Sequence, residues 1–181
     1  MKAALVVMLF AVAAFAQDRA VAAAESACGP SDVLFRVKTN TNPHQVAPPE
    51  TDRALVYVVE EQKFRAFDDV TARVGLDGAW VGANRGNSYL FFSVEAGEHH
   101  LCTDWISDWL PGGRLVSLAN FTAESGRVYY FRARTTGGPS AIGDGKLQAA
   151  AGASIDLELV NSDEGKLLVA SSALSVSHPK K

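Results

Sequence analysis

The chain has 181 residues, 48% of them hydrophobic and 20% charged, with a formal net charge of -3. That is enough apolar material for one domain with its own core. A nucleic-acid partner is disfavoured, because no basic surplus is available to neutralise phosphates.

Lys2 gives the start of the chain a positive charge, and Ala3 to Phe15 is an unbroken apolar run. The run ends in Ala14-Phe15-Ala16, ahead of Gln17-Asp18. Its length falls short of the roughly 20 residues that span a bilayer, and small residues at minus three and minus one suit a signal peptidase. Residues 1–16 are therefore expected to be a signal peptide, and the product to be exported, periplasmic or secreted. Cys28 lies well past the run, with Glu25 where a lipid-anchoring motif wants an aliphatic residue, so no lipid anchor is expected. No later segment is long and apolar enough to predict a transmembrane span after cleavage. Two cysteines remain, Cys28 and Cys102. In an exported chain an even pair most simply forms one disulfide, worth roughly 4 kcal/mol in the chain-entropy model.

Gln17 to Ala27 is Ala-rich and reads as a loose leader. Asp32 to Lys38 is a first strand, with Val33, Phe35 and Val37 on one face. Thr39 to Asp52, carrying Pro43, Pro48 and Pro49, is a connecting loop. Ala54 to Glu60 is nearly continuous in β-formers and reads as a central strand. Gln62 to Asp69 is a charged turn region. Thr71 to Leu76 is a strand, and Asp77-Gly78 is the strongest hairpin signal in the chain, leading into Ala79 to Gly82. Ser88 to Val94 alternates, Leu90, Phe92 and Val94 on one face, Tyr89, Phe91 and Ser93 on the other. Glu95-Ala96-Gly97 turns the chain into Glu98 to Asp104. Asp108 to Arg114 is a loop. Leu115 to Thr122 and Arg127 to Arg134 are expected to form another hairpin around Ala123 to Gly126. Thr135 to Ser154, rich in Gly, Ala and Ser, reads as a mobile loop. Ile155 to Val160 is a last strand, after which Ser162 is expected to cap a short helix running to about Ser171, with Asp163 and Glu164 at its N-terminus. About eight short strands and one late helix, with no βαβ rhythm, predict an all-β fold: a small antiparallel β-sandwich with a short C-terminal helix.

The stretch from Arg53 to Lys166 resembles an uncharacterised bacterial exported family, domain of unknown function 2846. Four segments carry the resemblance: Arg53-Ala54-Leu55-Val56-Tyr57-Val58, Val74 to Gly82, Phe92 to His99, and Ala123 to Phe131. The second and third are also similar to PEGA-type envelope domains, although Glu95 stands where that pattern has Pro and Leu76 where it has Val or Ile. The resemblance implies an exported, non-enzymatic domain and supplies no catalytic residue; the sandwich is expected to be immunoglobulin-like or transthyretin-like.

Glu98, His100 and Cys102 share a strand face and offer O, N and S ligands. That set consumes a cysteine assigned to the disulfide, so no metal and no cofactor are expected. His99 reads as a strand-start residue whose ring nitrogens bond to nearby turn backbone. No G-x-S-x-G elbow is present. Asp68-Asp69 and Asp163-Glu164 read as a solvated turn and a helix start, and Asn120-Phe121-Thr122 as an incidental sequon. Trp80, Trp105 and Trp109 are the possible ligand contacts, because exposed indoles stack on sugars or anchor protein partners.

The expected organisation is a signal peptide over 1–16, a leader, first strand and Pro-rich loop over 17–52, and a β-sandwich domain over 53–181. The expected function is a non-catalytic exported cell-envelope domain binding an envelope protein or cell-wall ligand. The alternatives are a carbohydrate-binding module using Trp80, Trp105 and Trp109, and a small hydrolase using a thiol or histidine, His100 with Cys102.

Overall fold

The computed structural model describes residues 26–42, 48–62, 70–106, 114–136, 139–141, 147–149 and 154–180. The expected signal segment 1–16, the pair Asp68-Asp69 and Trp109 lie outside the described residues.

Six strands form the larger sheet. In spatial order they are β1 (Phe35–Asn40), β12 (Ala173–Pro179), β5 (Ser88–Glu95), β2 (Arg53–Glu61), β8 (Val128–Thr136) and β11 (Ser154–Val160). The smaller sheet runs β4 (Ala79–Arg85), β3 (Thr71–Leu76), β6 (Gly97–Ile106), β7 (Arg114–Ala123). A separate ribbon pairs β9 (Pro139–Ala141) with β10 (Leu147–Ala149) inside the Gly, Ala and Ser-rich stretch. The helix α1 spans Ser162–Ala170. The all-β sandwich with one short late helix holds.

The two sheets face each other across the main core. Ala54, Val56 and Val58 of β2 meet Ala72 and Val74 of β3, Leu101 and Trp105 of β6, and Phe121 of β7. Phe121 and Phe131 meet edge to face across the gap, with ring centroids 5.0 Å apart. The alternate residues of β2, Leu55, Tyr57 and Val59, point the other way and are buried under α1 and the chain that follows it, with Leu168, Val169 and Leu174 packed on them. Strand β2 is thus covered on both faces, which is why its sequence is almost continuously apolar. Gly165 lets α1 sit directly on the sheet: a Cβ there would lie 2.2 Å from Tyr130 Cγ.

Several features depart from the sequence reading. The larger sheet is mixed, since β2 runs parallel to β8 and β12 parallel to β5. The segments around Ala123 to Gly126 do not form a hairpin; β7 pairs with β6 and β8 with β2 and β11, so that turn crosses from one sheet to the other. The helix cap is Asn161 rather than Ser162, its Oδ1 accepting from the backbone of Asp163 and Glu164. A twelfth strand follows the helix. Strand β1 lies ahead of the Arg53 boundary yet is an edge of the larger sheet, paired with β12 from Phe35↔Pro179 to Asn40↔Leu174. The Asp77-Gly78 hairpin is as expected, with φ of 51° and 85° at the two residues.

Candidate functional site

The most elaborated surface is the outer face of the smaller sheet. Alternation puts Arg73 and Gly75 of β3 on that face, beside Asp104 and Cys102 of β6, and the register pairs them directly as Arg73↔Asp104 and Gly75↔Cys102. Trp80 of β4 sits opposite Gly75. Residues 26–34 lie across these groups as a strap. Cys28 and Cys102 form a disulfide with Cα atoms 5.3 Å apart, and both are buried with Ala27.

The sheet holds the strap through its main chain. Arg73 Nη1 donates to the carbonyls of Ser31 at 3.0 Å and Val33 at 2.5 Å. Trp80 Nε1 donates to the Pro30 carbonyl at 2.7 Å, and the Gly78 amide to that of Ala27 at 3.2 Å. The Arg73 guanidinium lies 4.2 Å from the Trp80 ring centroid and forms an ion pair with Asp104. Both charged side chains are buried, 2% and 0% exposed. The pair is supported by the strap carbonyls that Nη1 addresses, while among the described residues Arg73 Nε has no hydrogen-bond partner. Gly29 rests on the indole; a Cβ there would lie 2.4 Å from Trp80 Cδ1.

The structure does not bring the expected tryptophans onto one face. Trp80 is half-buried beneath the strap, on the outside of the smaller sheet. Trp105 is 0% exposed and belongs to the core between the sheets. It offers no surface to a ligand, because odd and even positions of β6 face opposite ways. The Glu98, His100 and Cys102 face does not assemble as a ligand set either. The sulfur of Cys102 is bonded to Cys28, and His100 Nδ1 is engaged by Asn120 Oδ1 at 2.8 Å. Among the described residues no group of three metal-ligating acid, His or Cys side chains gathers.

His99 clasps two turns. Its Nε2 meets the Glu95 carbonyl at 2.9 Å, as the sequence suggested, and its Nδ1 meets Asp77 Oδ2 at 2.7 Å. Asp77 Oδ1 also accepts from the His100 amide. Desolvation, the largest single influence on His99, lowers its pKa, but the Asp77 carboxylate and the Glu95 carbonyl outweigh it and leave it above its ordinary value. Desolvation likewise raises Asp77, and the His100 amide and His99 outweigh it, leaving the carboxylate below its ordinary range.

A second polar group lies between the sheets. Glu60, the last inward-facing residue of β2, is 1% exposed, and Gln62 Nε2 donates to its Oε1 at 2.8 Å. Asn84 of β4 donates to the Val58 carbonyl at 3.0 Å. Among the described residues, the second carboxyl oxygen of Glu60, Gln62 Oε1, Asn84 Oδ1 and Thr135 Oγ1 have no hydrogen-bond partner. Burial pushes the Glu60 carboxyl up to about 8, with the Gln62 hydrogen bond acting against the rise.

Sequence reasoning missed Arg73, Asp104 and Glu60. A signal existed for the first two: they share a strand face with Cys102 or with its direct partner, and a bridge from Cys28 must draw the leader over that face. Among the described residues no helix is long and apolar enough to cross a membrane. Comparison of the chain with protein-family models, with curated proteins and with solved structures finds no match.

Proposed function

We propose that this chain is an exported, non-catalytic module of the cell envelope that binds a protein or cell-wall ligand on a disulfide-braced sandwich. The observation that carries the reading is the Cys28–Cys102 bond. Disulfides persist in oxidising compartments, which agrees with a positively charged, apolar, A-x-A-terminated N-terminal segment. The bond also takes both sulfurs out of nucleophilic chemistry. The resemblance of Arg53 to Lys166 to an exported bacterial family is part of the same reading.

The test is the intact mass of the chain recovered from a periplasmic extract, alkylated before any reduction. Export predicts a chain starting at Gln17 with neither cysteine modified. A chain that retains residues 1–16 in the cytosol with both thiols alkylated overturns the proposal. Sedimentation of the exported chain with purified cell-wall sacculi then separates a cell-wall ligand, which carries it into the pellet, from a protein ligand, which leaves it soluble.

A further inference from the structure

We propose that the outer face of the smaller sheet is a binding site for a peptide main chain, occupied here by the chain's own residues 26–34. When the Cys28–Cys102 bond is reduced, the site accepts the same segment of a second copy. The proposal rests on the contacts of that face and holds whether or not the chain is exported.

Three donors on the sheet, Arg73 Nη1, Trp80 Nε1 and the Gly78 amide, address four carbonyls of the strap, those of Ala27, Pro30, Ser31 and Val33. This is recognition of main chain. Side-chain selection is sharpest at Gly29, which any Cβ would drive into the Trp80 ring, and at Cys28, which meets Cys102; Ala27 is buried beside that bond and Val33 packs with Trp80 on the cluster of Phe35, Val37 and Ala83. The segment that satisfies both demands is this chain's Cys28-Gly29-Pro30 and the residues after it.

The face cannot be left bare cheaply. Without the strap, the Arg73 guanidinium keeps Asp104 but loses both carbonyl acceptors, and Trp80 loses its cover and its acceptor. The uncovered donors turn to water, and refilling the site restores the charge-assisted bonds and the cover on the indole. The strap can leave without unravelling the sandwich, because β1 begins just after it and is held separately on β12, with the Lys180 amide bonded to the Leu34 carbonyl at 2.8 Å. Leu34 stays anchored beside β12, so the exchange draws the starts of β1 of two copies close together in a reciprocal two-fold pair.

The redox step is an exchange. A dithiol passes two electrons and two protons to the Cys28–Cys102 bond, leaving as its own disulfide and freeing two thiols. The oxidised dithiol then takes two electrons and two protons from Cys28 of one copy and Cys102 of another, which become bonded.

The experiment mixes full-length Cys28→Ser with full-length Cys102→Ser in the presence of an oxidised dithiol. The expected product is a covalent heterodimer linked Cys28 to Cys102, reduced at least tenfold when the Cys102→Ser partner also carries Gly29→Val. Two outcomes overturn the proposal: folded variants that stay monomeric, and a heterodimer whose yield ignores Gly29→Val, which marks collision of thiols rather than a docked strap. If either variant fails to fold, the wild-type chain decides. Light and heavy isotopic forms, reduced with the dithiol and reoxidised together at high concentration, are expected to give mixed-isotope Cys28–Cys102 peptides in a dimer fraction. Same-isotope peptides alone overturn the proposal.

Discussion

Arg73 and Asp104 stand directly opposite each other on β3 and β6 and form an ion pair sealed from solvent by residues 26–34. Removing one partner strands a buried charge, which typically costs about 3 to 5 kcal/mol. Arg73→Met and Asp104→Asn are each expected to lose stability on that scale, read as a lowered urea midpoint under oxidising conditions. The double variant Arg73→Met/Asp104→Asn is expected to lose clearly less than the sum, because no lone charge remains. Strict additivity would show that the two do not act as a pair.

Glu60 makes stability fall as the medium becomes more alkaline. Its folded pKa is about 8 against an ordinary 4.5, so between those values the folded chain holds a proton that the unfolded chain has lost. Stability therefore declines through that window, by on the order of 5 kcal/mol in full. Glu60→Gln removes the titration and keeps the shape. Chemical denaturation should find the Gln variant more stable than wild type near about pH 9, with the gap shrinking toward about pH 5. A gap that does not change with pH would sink this assignment.

In the clasp, His99 works in the same sense as Glu60 and Asp77 in the opposite one. His99 titrates above its ordinary 6.5, so its contribution is full below that value and is lost as the pH rises through the folded pKa. Asp77 titrates below its ordinary 3.8, so its share is present above that value and is lost as the pH falls through the folded pKa. His99→Gln is expected to cost more near about pH 5 than near about pH 9. Nuclear magnetic resonance titration of the imidazole checks the cause directly: a His99 pKa at or below 6.5 would contradict the clasp.

Gly165→Ala sets helix propensity against packing. In an exposed helix the change stabilises by about 1 kcal/mol. Here the new Cβ would lie 2.2 Å from Tyr130 Cγ, and overpacking of this kind costs about 1 to 3 kcal/mol. A net loss, with a lower thermal midpoint and altered near-ultraviolet dichroism from the tyrosine cluster, is expected. A gain would mean that α1 does not rest on Tyr130.

Local chemistry was enough for several elements. The Asp77-Gly78 turn follows from two residues that tolerate positive φ, the central position of β2 from an apolar run too continuous for a half-exposed strand, and the Cys28–Cys102 bond from an even count of cysteines. These depend on neighbours in sequence or on counting. Which strand pairs with which does not. The turn at Ala123 to Gly126 looks like a hairpin turn because its residues permit either path, and only the burial of Phe121 and Phe131 against each other from opposite sheets decides that the chain crosses over. The fate of a polar residue is equally non-local. Arg73 in T-A-R-V-G-L has the spacing of a solvated face, and Trp80 and Trp105 look alike on the page. The strap buries the first two, and the second sheet buries the third. Side-chain alternation assigns a residue to one face or the other, but what covers that face is set by chain that arrives from tens of residues away, and that alone decides whether a charge is solvated or sealed.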